Sequence, residues 1–218
     1  MSVGASLRRA VRDFYHQSWR LLVLNAVLSV FVLAVVLVGL WFWPVLLLLV
    51  LVGPFAAALM HCAVTVAQSD ELRLRDAVTG VRLHWRRGLV LGAFALAVGA
   101  LAAFAVVFYA EIGGWWWAAA LVALYVAGIF GVLQLLLWPL AVFEVDRPLA
   151  EVARDSLVGF LRRPAAGTAL ALVLLAINLI GLAAGVVPFL TLTVAYSFLA
   201  AAHFALPREP GGTAAWPA

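Results

Sequence analysis

The chain has 218 residues and a mass of 23.3 kDa; 67% of it is hydrophobic, 11% is charged, mean hydropathy is +1.14 and net charge is +4. Soluble domains are about half apolar and about a quarter charged, and disordered chains are hydrophilic and charge-rich, so both classes are excluded. The basic balance does not point to nucleic acid, because the 14 basic residues, all arginine, flank apolar runs and build no separate basic domain.

In chain order, basic amphipathic stretches alternate with long apolar runs. The first stretch places Leu7, Val11, Phe14 and Ser18 at 4-3-4 spacing and leads into the run Leu21 to Leu40. That run is too long for a signal-peptide core and another follows almost at once, which predicts an uncleaved anchor. Trp41-Phe42-Trp43-Pro44 separates it from a second run, Val45 to Ala67. The next stretch carries one stripe of Leu74, Val78, Val81 and Trp85 and another of Arg75, Arg82 and Arg86, then opens into Leu89 to Tyr109. After Glu111-Ile112-Gly113-Gly114 comes the run Ala118 to Phe143. A third amphipathic stretch has Leu149, Val152, Ala153, Leu157, Phe160 and Leu161 as its apolar face and precedes Ala166 to Val187. Pro188 divides that run from the shortest, Phe189 to Leu206, and Pro207 to Ala218 reads as a disordered cytoplasmic tail.

An α-helix needs about 20 apolar residues to cross a bilayer core of about 30 Å. Backbone polar groups in lipid must be satisfied within the segment, and the runs lack the alternation of a membrane β-barrel. The sequence therefore predicts an all-α, polytopic helical membrane protein. Residues 1–206 form one membrane domain of six transmembrane helices arranged as three hairpins, with cytoplasmic interfacial amphipathic helices. Every arginine falls on one side of this arrangement, and the opposite side holds a single charged residue, Glu111. The positive-inside rule assigns the arginine side, with both termini, to the cytoplasm. Trp41, Trp43, Tyr109, Trp115, Trp116 and Trp117 form the outer aromatic belt, and Trp19 and Trp85 mark the inner interface.

The dipeptide Arg-Asp precedes each odd-numbered span, as Arg12-Asp13, Arg75-Asp76 and Arg154-Asp155. Arg20, Arg87 and Arg163 follow at the membrane border, close to whole helical turns away, so each aspartate and arginine share a helix face. This reads as three copies of one unit, an interfacial helix followed by a transmembrane hairpin, with arginines toward anionic lipid. The alternative is that basic flanks of any membrane protein align by chance.

Several segments carry a family resemblance: Phe14-Tyr15, Trp19-Arg20-Leu21 and Asn25; Gly53-Pro54-Phe55-Ala56-Ala57-Ala58-Leu59-Met60-His61; Leu72 to Asp76 and Trp85-Arg86-Arg87; and Trp138-Pro139-Leu140 through Leu161-Arg162-Arg163-Pro164. In these the chain resembles the YesL family of bacterial integral membrane proteins, up to about Leu206. Ala77-Val78 stand where that family usually has Phe-Trp, and Asn25 and Pro54 lie further apart than usual. The resemblance implies a bacterial cytoplasmic membrane protein of unknown function, some relatives being encoded beside carbohydrate uptake systems; it carries over no catalytic residues.

Ionisable residues inside spans are functional candidates, and no Asp, Glu or Arg lies in the middle of a span. A proton-coupled carrier is disfavoured on that ground. The candidate intramembrane polar cluster is Asn25, His61, Gln134 and Asn178; each either bonds across helices or lines a polar cavity. His203 is placed to face His61, but two histidines alone do not make a metal site. Cys62 is the single cysteine, read as a buried hydrophobe. Gly88-x-x-x-Gly92 and Gly181-x-x-x-Gly185 predict close helix packing, within the chain or between copies. Pro54 and Pro139 either kink their spans or open a cavity.

Arg75, Arg82, Arg86, Arg87, Arg154, Arg162 and Arg163 are the candidate lipid-headgroup contacts. Glu144, Asp146, Glu151 and Asp155 are interleaved with Arg147 and Arg154, a pattern of solvated ion pairs, and no nucleophile–base motif or cofactor motif appears. The expectation is a non-catalytic membrane protein, without cofactor or nucleic-acid partner. It acts either as an accessory or scaffold beside a membrane partner such as a carbohydrate transporter, or as a small carrier or channel for a neutral solute such as a sugar.

Overall fold

The computed structural model describes residues 3–69, 72, 74–185 and 192–206. Every regular element among them is helical. The elements are α1 (Val3–Gly39), a 3-10 segment (Trp43–Leu51), α2 (Val52–Ser69), α3 (Leu74–Ile112), a short 3-10 turn (Gly114–Trp116), α4 (Trp117–Phe143), α5 (Leu149–Arg162), α6 (Pro164–Ala184) and α7 (Val194–Ala205). Five segments are long and apolar enough to cross a membrane: Arg20–Gly39, Trp43–Ser69, Arg75–Ile112, Gly114–Phe143 and Pro164–Ala184. The protein is thus a multi-pass helical membrane protein by length and composition. In the sixth expected span, the described helix α7 has 12 residues, about 18 Å at 1.5 Å per residue. The end of the fifth span, the start of the sixth and the expected tail 207–218 lie outside the described residues.

The amphipathic stretches differ from the expected interfacial helices. Only the third is a separate helix, α5. The first and second are continuous with their spans, as the opening turns of the 37-residue α1 and the 39-residue α3. The difference has a local cause. Proline disfavours the α region at the residue before it, and Arg163, preceding Pro164, sits at φ −142°, ψ 57° and ends α5. Nothing comparable interrupts Arg86-Arg87-Gly88, so α3 runs on.

The second span also departs from a plain α-helix. Its first nine residues, Trp43–Leu51, are 3-10, and α geometry begins at Val52. Such runs usually stop at three or four residues. Pro44 opens this one, and Pro54 cannot donate to the carbonyl four residues back and would clash with it in an α-helix. The change of helix type falls just before that proline.

The core is built around α2, buried from Gly53 to Ala67 on nearly every side, and α7, where Ala195 and Leu199 to Ala202 are at most 1% exposed. Leu21 and Leu28 of α1, Val142 of α4, and Leu170 and Leu174 of α6 pack against these two helices. The outer parts of α3 and α4 instead expose Phe94, Leu101, Phe104, Leu121, Val122 and Tyr125, a surface suited to lipid. At the end bearing Glu111, Trp115 stacks on Trp116 with ring centroids 4.1 Å apart, and Tyr109 stacks on Trp116 at 5.6 Å. These rings stand where the outer aromatic belt is expected.

Candidate functional site

The α2–α3 crossing is set by absent side chains. A Cβ on Gly53 would lie 2.1 Å from the Gly88 carbonyl oxygen, and one on Gly92 would lie 2.6 Å from the Gly53 Cα. Gly88-x-x-x-Gly92 therefore packs within the chain, against Gly53-Pro54. Gly80 continues the same face, its position 3.1 Å from the His61 Cβ. Gly80, His84, Gly88 and Gly92 recur every four residues and so share one face of α3. The close approach brings His84 against His61, with His84 Nε2 and His61 Nδ1 3.3 Å apart and both side chains buried. One ring donates and the other accepts, which needs at least one neutral imidazole. His84 was not among the residues singled out from the sequence; the period of four through Gly80, Gly88 and Gly92 was the available signal.

His203, expected opposite His61, lies instead against Asp13, Nε2 to Oδ2 at 2.9 Å, a contact that is ionic when the imidazole is protonated. Asn178 is part of an α6–α7 network. Its Nδ2 donates to Ser197 Oγ at 2.8 Å and to the Leu174 carbonyl at 2.7 Å, and Thr193 Oγ1 donates to its Oδ1 at 3.1 Å. Gly181 makes room for this, since a Cβ there would meet the Thr193 methyl at 2.4 Å. Gly185, the other half of that motif, instead ends α6 at φ +135°. Asn25 is fully buried on α1, where Ser29 Oγ donates to its carbonyl. Gln134, on α4, has both amide atoms buried and without a partner among the described residues. The four candidate polar residues thus sit in separate settings: Asn178 at the α6–α7 contact, His61 at the α2–α3 contact, Asn25 on α1 and Gln134 on α4.

The seven candidate lipid-contact arginines divide. Arg75, Arg82, Arg86, Arg154, Arg162 and Arg163 are exposed, with the Arg86 guanidinium 5.4 Å from the Trp85 ring centroid. Arg87 is turned inward: it donates to the carbonyls of Ala141 at 3.0 Å and Glu144 at 2.8 Å, and also to that of Arg147. Carbonyls at a helix C-terminus lack intrahelical donors, and a cation there also meets the negative end of the helix dipole. Arg87 caps the end of α4. Arg20 likewise donates to the Leu72 carbonyl, just past the end of α2.

Two of the three Arg-Asp aspartates contact a basic side chain of another segment. Asp13 pairs with His203 of α7. Asp155 accepts from Arg147, just past α4, at 2.8 Å. Arg147 also meets Glu144 at 2.6 Å and Glu151 at 3.5 Å. The hydrogen bond it donates to Asp155, then the one to the Glu144 carboxylate, hold its guanidinium above the usual arginine range.

No family model, curated protein or solved structure matches the chain.

Proposed function

We propose that the chain is a six-span, non-catalytic protein of the bacterial cytoplasmic membrane that serves as an accessory or scaffold for a membrane partner. The observation that carries this reading is the use made of its polar groups. Asp13, Arg87, His61 and Asn178 each engage a side chain or carbonyl of another segment, work that fixes helices against one another. The contacts of Arg20 and Arg87 with backbone carbonyls late in their own units, and those of Asp13 with His203 and Asp155 with Arg147, support three repeated hairpins with Phe189 to Leu206 as the sixth span. The arginines of the sequence, all in the segments that flank one side of the expected spans, support a cytoplasmic location for that side and both termini. The YesL resemblance supports a bacterial membrane and a partner in carbohydrate uptake.

The test is extraction from native membranes in mild detergent, with crosslinking and mass spectrometry. A stoichiometric membrane protein partner is expected. A chain that purifies alone and moves a neutral sugar across liposomes would overturn the reading.

Gln134 favours a second reading. A buried amide with no partner is costly, and a neutral solute passing along α4 would satisfy it. Liposome flux that is abolished by Q134L would establish that carrier reading.

A further inference from the structure

A cleft of about 290 Å³ opens at the arginine end between α4, α5, α6 and α7. Leu136, Leu140, Phe160 and Phe204 supply its apolar lining, and Arg162, Arg163 and Asp155 its charged groups. Asp155 is paired with Arg147, which it shares with Glu144 and Glu151. Arg162 and Arg163 are exposed and form no ion pair among the described residues. The cleft thus combines an apolar floor with two cations that form no ion pair among the described residues. Its size is at the lower edge of the range of about 300 to 1,000 Å³ for small-molecule sites, enough for a headgroup and the start of a chain rather than a whole lipid.

The arginines of the other two units are spent differently. Arg20 and Arg87 close the end of their own hairpins by donating to backbone carbonyls. Arg163 holds the corresponding place in the third unit, where it lines the cleft together with Phe204 and Ala205 of α7. Leu157 and Leu161 are exposed on α5 beside it, an apolar edge suited to the boundary between headgroups and acyl chains.

We propose that this cleft holds one anionic phospholipid, its phosphate between Arg162 and Arg163 and the first part of an acyl chain on Leu136, Leu140, Phe160 and Phe204. Planar guanidinium groups suit phosphate oxygens, and the apolar floor asks for a chain rather than a free anion. The inference rests on insertion of the protein in a bilayer and not on the scaffold reading.

Gly159 provides a second handle. It lines the cleft, yet a Cβ there meets nothing within 4 Å, so G159L fills the space without disturbing the fold and leaves both arginines in place.

The experiment reconstitutes the full chain in nanodiscs of phosphatidylcholine doped with phosphatidylglycerol. Retained lipid is counted by native mass spectrometry after release into detergent. The wild type is expected to keep one phosphatidylglycerol. R162Q/R163Q should weaken its retention about tenfold or more, the loss of two basic contacts at a membrane surface. G159L should weaken it comparably with unchanged helicity, and R82Q/R86Q, which do not line the cleft, should keep the wild-type value. Equal retention by wild type, R162Q/R163Q and G159L would overturn the proposal. Competition by glycerol phosphate or inorganic phosphate as strong as by the lipid would also overturn it, by making the site one for a soluble phosphate.

Discussion

His203 Nε2 lies 2.9 Å from Asp13 Oδ2, and the two side chains are only 6% and 9% exposed. The contact joins the last described helix to the first, across almost the whole length of the chain. Removing one partner of a buried pair leaves the other charged or polar and unsatisfied, at about 3 to 5 kcal/mol. Replacing both by apolar residues of similar size is close to neutral or stabilising. D13L and H203L should therefore each lower the melting temperature in detergent markedly, and D13L/H203L should restore most of the loss. Additive losses in the double variant would mean that the two residues act separately.

The α2–α3 crossing gives a steric prediction. G53A places a methyl 2.1 Å from a carbonyl oxygen and G88A places one 2.7 Å from the Pro54 Cα; neither contact is a flexible side chain that can move aside. Overpacking of this kind costs about 1 to 3 kcal/mol. Gly99, on the same helix, has nothing within 4 Å of a Cβ, and G99A should be neutral or slightly stabilising through helix propensity, by up to about 1 kcal/mol. Thermal unfolding of the three variants in one detergent separates the cases. Equal behaviour of G53A and G99A would refute the close crossing.

Arg87 reaches three carbonyls at the end of α4 through its forked guanidinium. Lysine has one compact ammonium and cannot reproduce that spread. R87K and R87Q should both destabilise, by about 1 to 3 kcal/mol for carbonyls left without donors, and should speed proteolysis in the turn between α4 and α5. R86Q, altering an exposed neighbour, should change stability by no more than about 0.5 kcal/mol.

The contrast between Arg86 and Arg87 marks the boundary of what the sequence reveals. Apolar runs are a property of composition and length, so the spans Leu21 to Leu40 and Ala118 to Phe143 were legible with ends close to those of the apolar segment Arg20–Gly39 and of α4. Which of two adjacent arginines faces solvent and which caps α4 depends on how α3 crosses α4, and no local pattern encodes that. The same holds for His61, whose partner is 23 residues away and is fixed by the glycine face rather than by anything near His61. Pro164 announced the break after α5. The continuity of α3 through Arg87 was equally written, in the lack of a breaker, but a basic amphipathic stretch has the same composition whether it lies along a membrane surface or extends a span.

Orientation is open to a direct labelling test. Cys62, the only cysteine, is fully buried, so the native chain gives little background with a membrane-impermeant maleimide. Glu111 and Arg154 are both exposed, at opposite ends of the long helices. Carrying the arginine-rich end across the membrane is strongly disfavoured, so that end should face the cytoplasm. E111C should label in intact cells, and R154C only after permeabilisation. The R154C substitution removes one arginine of fourteen and leaves the asymmetry intact. Labelling of R154C in intact cells, with E111C protected, would invert the orientation and place the cleft at Arg162 and Arg163 on the outer face.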